Sequence, residues 1–199
     1  MKNLTLIFIL SCLTTTFAQG RGTSSYPSKI RQKYVSAELT GVLSGGSEVG
    51  LQARYFERLR SDLSFSAGFG FSSGDRANSI FASADYELYP DYKMQPRISL
   101  EASLERSLEF GDSHLKAGVA PVVSKGFSFW GKEVFPFIGI PVTLDLNSDD
   151  KSYDLATQLA FGAAAQLSPH KGLLANIEIN IDIDNSYSGV FLGISHPLK

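Results

Sequence analysis

Alternation of apolar and polar side chains with a period of two is the sequence feature that most constrains this chain. In residues 63–72 every second side chain, from Leu63 to Phe71, is apolar, and serine or glycine occupies the positions between. Residues 173–183 repeat the pattern, with leucine, alanine and four isoleucines on one face and mainly Asn, Glu and Asp on the other. Successive side chains of a β-strand point to opposite faces of the sheet. Both segments are therefore predicted to be strands with one apolar and one polar face.

Turn residues interrupt this alternation at short and regular intervals, which predicts about ten strands. The predicted strands are residues 34–43, 48–59, 63–72, 79–89, 97–108, 114–124, 133–145, 153–167, 173–183 and 187–195. Glycine, serine and β-branched residues interrupt every candidate helix after residue 18. The pattern therefore predicts an all-β chain in which neighbouring strands run antiparallel, up and down.

Residues 1–18 are predicted to be a secretory signal peptide, with a positive Lys2, an apolar run and small residues before a cleavage site after Ala18. The apolar run is too short to cross a bilayer as a helix. Cys12 is the only cysteine and lies within this segment, so the processed chain is expected to form no disulfide. Lipidation of Cys12 is the alternative, because residues 8–12 resemble a lipoprotein signal.

Residues 19–33 are polar and rich in glycine and serine, and they are predicted to be a flexible basic arm that stays outside the fold. The barrel domain is predicted to cover residues 34–199. Hydrophobic residues make up 43% of the sequence, charged residues 19%, and the formal net charge is -2. Because there is no basic surplus, no nucleic-acid partner is expected.

Three features favour a barrel that spans a membrane over a soluble barrel with an apolar interior. Most predicted strands are about 10 residues long, which is the length that crosses a bilayer at a tilt. A closed antiparallel sheet has no unpaired edge, as a bilayer requires. The third feature is the charged residues on the polar faces, which could also face solvent in a soluble barrel, so the export signal and the strand length decide the choice. The polar register then forms a predicted lumen network of Glu38, Arg54, Asp85, Glu87, Arg97, Glu101, Glu105, Lys116, Glu178 and Asp182.

Aromatic residues are expected to mark the two membrane interfaces, where amphipathic rings are enriched. With both termini on the periplasmic side, one set is predicted to gather near that side: Tyr34, Tyr55, Phe56, Tyr86, Tyr89, Tyr92, Phe127, Phe129 and Trp130. Tyr153 and Tyr187 are predicted to mark the opposite rim.

The signal peptide, the cysteine-free body and the short alternating strands of residues 34–195 resemble the small outer-membrane β-barrel proteins of Gram-negative bacteria. This resemblance implies a place in the cell outer membrane and contact with its lipid and lipopolysaccharide. Two features depart from the family pattern. The last strand is followed by residues 195–199 instead of ending on an aromatic residue, and the connections are short on both sides. Eight strands is therefore an alternative to ten.

The histidines give no sign of catalysis, because His114 begins a strand, His170 lies in a turn and His196 lies in the C-terminal tail, and their spacing does not suggest a shared base and nucleophile. No catalytic, cofactor or metal site is predicted, and the chain is not expected to be an enzyme. A structural or interaction barrel is the first functional hypothesis. The alternatives are a narrow porin-like channel for small polar solutes and a soluble periplasmic ligand-binding β-barrel.

Overall fold

The computed structural model describes residues 20–43, 48–73, 78–109, 111–129, 131–168 and 172–198. The predicted signal peptide with Cys12, together with Trp130 and His170, lies outside the described residues. In the described part of the chain, no helix is long and apolar enough to cross a membrane.

One short helix and twelve strands are formed by the described residues. They are α1 (Gly22–Ser25), β1 (Lys33–Val42), β2 (Glu48–Arg58), β3 (Leu63–Ser72), β4 (Asn78–Tyr89), β5 (Arg97–Glu109), β6 (Asp112–Ser124), β7 (Phe127–Phe129), β8 (Lys132–Gly139), β9 (Val142–Asn147), β10 (Ser152–Ser168), β11 (Leu173–Asp184) and β12 (Gly189–Leu198).

The strands form one antiparallel sheet that closes on itself, because β12 pairs with β1 along its whole length. Strands β8 and β9 together fill a single position between β6 and β10, and β7 extends β8 as a hairpin. The barrel therefore has ten strand positions, and the predicted all-β, antiparallel, up-and-down barrel of about ten strands is confirmed. We call the barrel end with Lys33 and Leu198 the near end, and the end with Val42 and Gly189 the far end.

The predicted strand over residues 133–145 is divided in two at Ile140 and Pro141. Proline has no N–H to donate to a neighbouring strand, so it interrupts a regular ladder. The backbone around the break is still paired, since Ile140 N donates to Pro121 O (3.2 Å) and Gln158 N donates to Pro141 O (3.0 Å). Both halves stay between the same two neighbours, so the interruption does not open the barrel wall.

The polar register of the strands faces the barrel interior and the apolar register faces outward. Ser36 and Glu38 in β1 are each 1% exposed, whereas Leu51 in β2, Ile80 in β4 and Leu104 in β5 are 58–64% exposed. This arrangement contradicts a barrel with an apolar interior, which was the structural basis for the soluble alternative. We call the outward-facing apolar side chains the apolar belt.

Large rings fill the interior where the wall is made of glycine. A Cβ atom at Gly68 would collide with the carbonyl oxygen of Ala53 and the ring of Phe81, and one at Gly162 with the Ile177 carbonyl and the ring of Phe137. A ring packed over a strand glycine compensates for the missing side chain. These contacts fill the lumen on two sides.

Three of the aromatic residues predicted to lie at an interface point inward instead. Tyr34, Phe56 and Tyr187 are 1%, 2% and 6% exposed, and the Tyr34 and Phe56 rings pack against each other inside the near end. Tyr34 and Phe56 sit in the polar register of their strands, so alternation outweighs the preference of aromatic rings for membrane interfaces. Tyr187 lies in the connection between β11 and β12. In contrast, Tyr89 and Tyr153 are exposed on the outside, near opposite ends of the barrel.

We predict that single cysteine probes at neighbouring positions distinguish the two faces in lipid vesicles. A fluorophore on Ala67→Cys or Ile179→Cys should be quenched by nitroxide-labelled lipid, and one on Ser66→Cys or Asn180→Cys should be protected, because adjacent strand residues face opposite sides. Fluorescence quenching provides the measurement. Stronger quenching at residues 66 and 180 would reverse the assignment of faces.

Candidate functional site: the closed lumen

The described N-terminal residues lie inside the barrel. From Gln32 at the near end the chain runs back into the lumen, where Arg21, Thr23 and Ser25 are 5%, 2% and 0% exposed. Helix α1 contacts β8, β10 and β11. The expectation that this arm stays outside the fold is therefore wrong for residues 20–28, which we call the lumen segment. The physical reason is its pairing with the lumen charges.

Arg21 connects the lumen segment to two walls of the barrel. Its backbone N–H donates to Glu178 Oε2, its Nη1 donates to Glu178 Oε1 at 3.1 Å, and its Nε lies 3.6 Å from Glu101 Oε2. Glu178 on β11 and Glu101 on β5 are 0% and 3% exposed. A carboxylate removed from water needs a positive partner, and Arg21 provides one for both.

Arg54 on β2 holds the beginning of the lumen segment. Its Nη1 donates to the carbonyl oxygen of Gly20, and its Nη2 lies 3.2 Å from Glu38 Oε2. Gln52 also donates to Glu38, and the Arg54 guanidinium lies 5.2 Å from the centroid of the Phe81 ring. The Arg54 side chain thus binds a carboxylate, a backbone carbonyl and an aromatic ring at the same time.

A second cluster of charges lies toward the near end. Arg97 donates to Asp85, and its Nε donates to Glu87 at 2.7 Å. Glu87 also lies 3.4 Å from Arg58 Nη2. The cluster joins strands β2, β4 and β5 across the interior.

A third cluster lies toward the far end. Lys116 donates to Glu109 and lies 3.9 Å from Asp145, and His114 Nδ1 lies 3.0 Å from the same carboxyl group of Asp145. Ser107 faces His114 across the β5–β6 ladder, but its hydroxyl donates to Glu109 at 2.7 Å. Because the serine bonds to a carboxylate and not to the imidazole, this cluster gives no support for a serine nucleophile.

The structure places most of the predicted network inside the barrel. Eight members are buried there: Glu38, Arg54, Asp85, Arg97, Glu101, Glu105, Lys116 and Glu178. Glu87 is partly buried near the rim, with its side chain 12% exposed. Asp182 does not belong to the network, because it is exposed at the far end and accepts hydrogen bonds from the Ser186 N–H and hydroxyl. The strand ends two residues later, at Asp184, and Asp182 stabilises the turn into β12.

Five charged or titratable members of these clusters were missed from the sequence: Arg21, Arg58, Glu109, His114 and Asp145. Glu109 continues the register of Glu101 and Glu105, and it was missed because the predicted strand ended one residue early. Asp145 alternates with apolar Leu144 and Leu146. Register could therefore have identified the strand residues, whereas no local pattern marks Arg21 as an interior residue.

Carboxylates outnumber cations in the interior. Among the described residues, seven carboxylates are buried: Glu38, Asp85, Glu101, Glu105, Glu109, Asp145 and Glu178. Four cationic side chains are buried with them: Arg21, Arg54, Arg97 and Lys116. One of these four belongs to the lumen segment. The interior wall without that segment is more acidic still.

The void beside Glu109, toward the far end of the lumen, is small. A void of about 10 Å³ lies next to Thr40, Gln52, Ser79 and Glu109, which is room for about one water molecule. Barrels of eight to ten strands have interiors that side chains can nearly fill. Here buried side chains of the wall and of the lumen segment both lie in that interior.

A smaller clasp joins two connections outside the barrel at the near end. Asp91 binds the Lys125 ammonium group and accepts a hydrogen bond from Gly126 N at 2.7 Å. Partial burial acts to raise the pKa of the Asp91 carboxyl, but the two hydrogen bonds and the positive charge outweigh it and lower the pKa below its ordinary value. Asp91 therefore stays ionised and ties residues 90–96 to the start of the β7–β8 hairpin.

Comparisons with known proteins give similarity of architecture at low sequence identity. The chain is similar to a de novo designed transmembrane β-barrel, with 15% identity, a TM-score of 0.45, and coverage of 87% of this chain and 100% of that chain. It is similar to KdgM porin (12% identity, TM-score 0.36, 82% and 99% covered) and to a bacterial polysaccharide outer membrane secretin (9%, 0.35, 86% and 100%). At these values the likenesses do not bear on function. No protein-family model matches this chain, and no curated protein matches its sequence.

We predict that Arg21→Gln lowers the free energy of unfolding by about 3–5 kcal/mol, because it leaves the Glu178 and Glu101 carboxylates buried without that partner. Lys29→Gln is the matched control, since Lys29 is an exposed base in the same part of the chain. Adding Glu178→Gln to Arg21→Gln should recover part of the loss. Urea unfolding in detergent micelles provides the measurement, and equal stability of the Arg21 and Lys29 variants would contradict the assignment.

Proposed function

We propose that this chain is an outer-membrane β-barrel of structural or interaction type, whose lumen is closed by its own N-terminal segment. The observation that carries the proposal is the combination of an apolar exterior with a charged interior. Exposed aliphatic side chains occur on strands all around the wall, for example Leu39, Ile80, Leu104, Leu155 and Ile194.

Such an exterior is unfavourable in water and favourable in lipid. Soluble monomers rarely expose a continuous apolar surface of more than a few hundred Å². Inside a bilayer every backbone polar group must be paired within the protein, and the closed ladder from β1 around to β12 meets that requirement. Strands of 10–13 residues in β1 to β6 are also long enough to cross at a tilt.

The occluded interior favours a structural or interaction role over an open pore. The lumen segment is held at Arg21 by two carboxylates and at Gly20 by Arg54. A solute that passed through the barrel would have to displace these buried contacts. Binding to partners would then use the outer wall or the connections at the two ends.

A narrow channel is the second candidate, and the excess of buried carboxylates favours it in one specific form. If the lumen segment leaves, seven carboxylates face three cationic side chains of the wall. A ring of acidic groups favours the passage of cations over anions. The second candidate is therefore a cation-selective pathway that the lumen segment keeps closed.

We predict that the processed protein fractionates with outer membranes and migrates differently on gels before and after boiling, because the closed ladder resists detergent until heated. Membrane fractionation and semi-native electrophoresis provide the measurements. Recovery of the folded protein from the periplasm without detergent would reject the membrane proposal.

We predict that the refolded protein without residues 19–28 conducts in planar bilayers and prefers K⁺ to Cl⁻, whereas the protein with the lumen segment shows no steady conductance. Gly22→Val is a second variant that tests the contact between the lumen segment and the wall. A Cβ atom at Gly22 would overlap the Asn176 side chain, so this variant should also conduct. Lys29→Gln, outside the contact, should stay closed. Steady conductance of the unaltered protein would instead establish the open channel.

A further inference from the structure

One charged side chain interrupts the apolar belt. Arg106 lies on the outward register of β5, between Leu104 and Leu108, and it is exposed. Its neighbours across the sheet are Ile80 on β4 and Leu115 on β6. Among the described residues, it is the only Asp, Glu, Lys or Arg that faces outward away from the strand ends.

The position of Arg106 sets it apart from the outward-facing charges at the near end. Lys33 and Glu57 lie at strand ends and are 3.9 Å from each other. Arg106 lies three residues before the end of β5, which corresponds to a depth of about 8 Å below the far end for a tilted strand. No carboxylate of the described residues pairs with it, and apolar side chains flank it on both neighbouring strands.

An apolar groove of about 690 Å³ begins at Arg106 and continues along the outer wall. Ala53, Ala67 and Ala82 contribute only a methyl group each to its lining, so the larger Phe69 and Leu104 beside them leave a depression. From Arg106 the groove extends toward the near end, since its lining reaches Tyr55 and Val35. A guanidinium at one end and an apolar depression behind it form an amphipathic surface.

We propose that this surface, the Arg106 groove, binds one lipid A molecule of lipopolysaccharide, with a phosphate on Arg106 and an acyl chain in the groove. The proposal rests on the proposed function, which puts the apolar belt in the outer membrane, and on the expected orientation with both termini on the periplasmic side, in which the far end faces outward. The planar guanidinium offers paired N–H donors that match phosphate oxygens. Its flexible stem lets the charge reach toward the headgroup region while the stem stays in the apolar layer.

Charge complementarity selects an anionic lipid over a neutral one. An arginine in a lipid-facing apolar wall, with no carboxylate partner among the described residues, favours an external anion, and a phosphate next to acyl chains supplies one at that depth. Lipid A carries phosphate close to its acyl chains and occupies the outer leaflet. The groove extends from Arg106 toward the near end, which is the direction in which an acyl chain of an outer-leaflet lipid enters the bilayer.

The experiment uses the full processed protein, refolded and purified in detergent, and native mass spectrometry with lipid A as the probe. Arg106→Gln should weaken lipid A binding by about tenfold or more, which corresponds to the loss of one charge-assisted contact. Arg106→Lys should retain part of the affinity. Lys33→Gln, a charge change at the opposite rim, should leave the affinity unchanged.

Dephosphorylated lipid A should bind the unaltered protein as weakly as lipid A binds the Arg106→Gln variant. Equal affinity of the unaltered protein and Arg106→Gln for lipid A would overturn the proposal, and so would equal affinity for lipid A and phosphatidylglycerol. Each variant is first tested for the heat-dependent gel shift in vesicles. If the unaltered protein fails to insert, the outer-membrane proposal fails; if it inserts and Arg106→Gln has no effect, only the Arg106 groove fails.

Discussion

Closure of the sheet between β1 and β12 is the constraint on which the rest of the structure depends. Ten residue pairs, from Lys33 opposite Leu198 to Val42 opposite Gly189, join the first strand to the last. Closure leaves no unpaired edge and separates an inside from an outside. Because side chains alternate along each strand, it also sends one register of the whole chain into a narrow interior.

That interior would be unfavourable if its charges were left unpaired. Glu38, Glu178 and Lys116 are at most 1% exposed, and each has an oppositely charged partner inside the barrel: Arg54 and Glu109 on neighbouring strands for Glu38 and Lys116, and Arg21 of the lumen segment for Glu178. Arg21 completes this arrangement from a segment that is not part of the barrel wall. The lumen segment thus occupies interior space and supplies positive charge to the buried carboxylates.

Much of the fold was predictable because period-two alternation is a local property of the sequence. Ten predicted strand positions are present, and register alone placed Glu38, Arg54 and Glu101 on the inward face. The errors have local causes too. Pro141 divides one predicted strand, and Tyr34 and Phe56 follow their register inward although aromatic rings are often found at interfaces. Asp182 was assigned to the lumen because alternation does not reveal where a strand leaves the barrel.

By itself, the sequence determined the strands, their two faces and the group of charges that share the inner face, because each follows from the spacing of neighbouring side chains. Only the tertiary structure decided which face is enclosed, how the charges pair and where residues 20–28 lie. Arg21 and Glu178 are separated by 157 positions, and no local pattern relates them. Arg106 looks like one more charge in an alternating strand until closure places it on the outer wall. Which charges meet depends on contacts between residues that are far apart in the sequence, and neighbouring residues do not reveal those contacts.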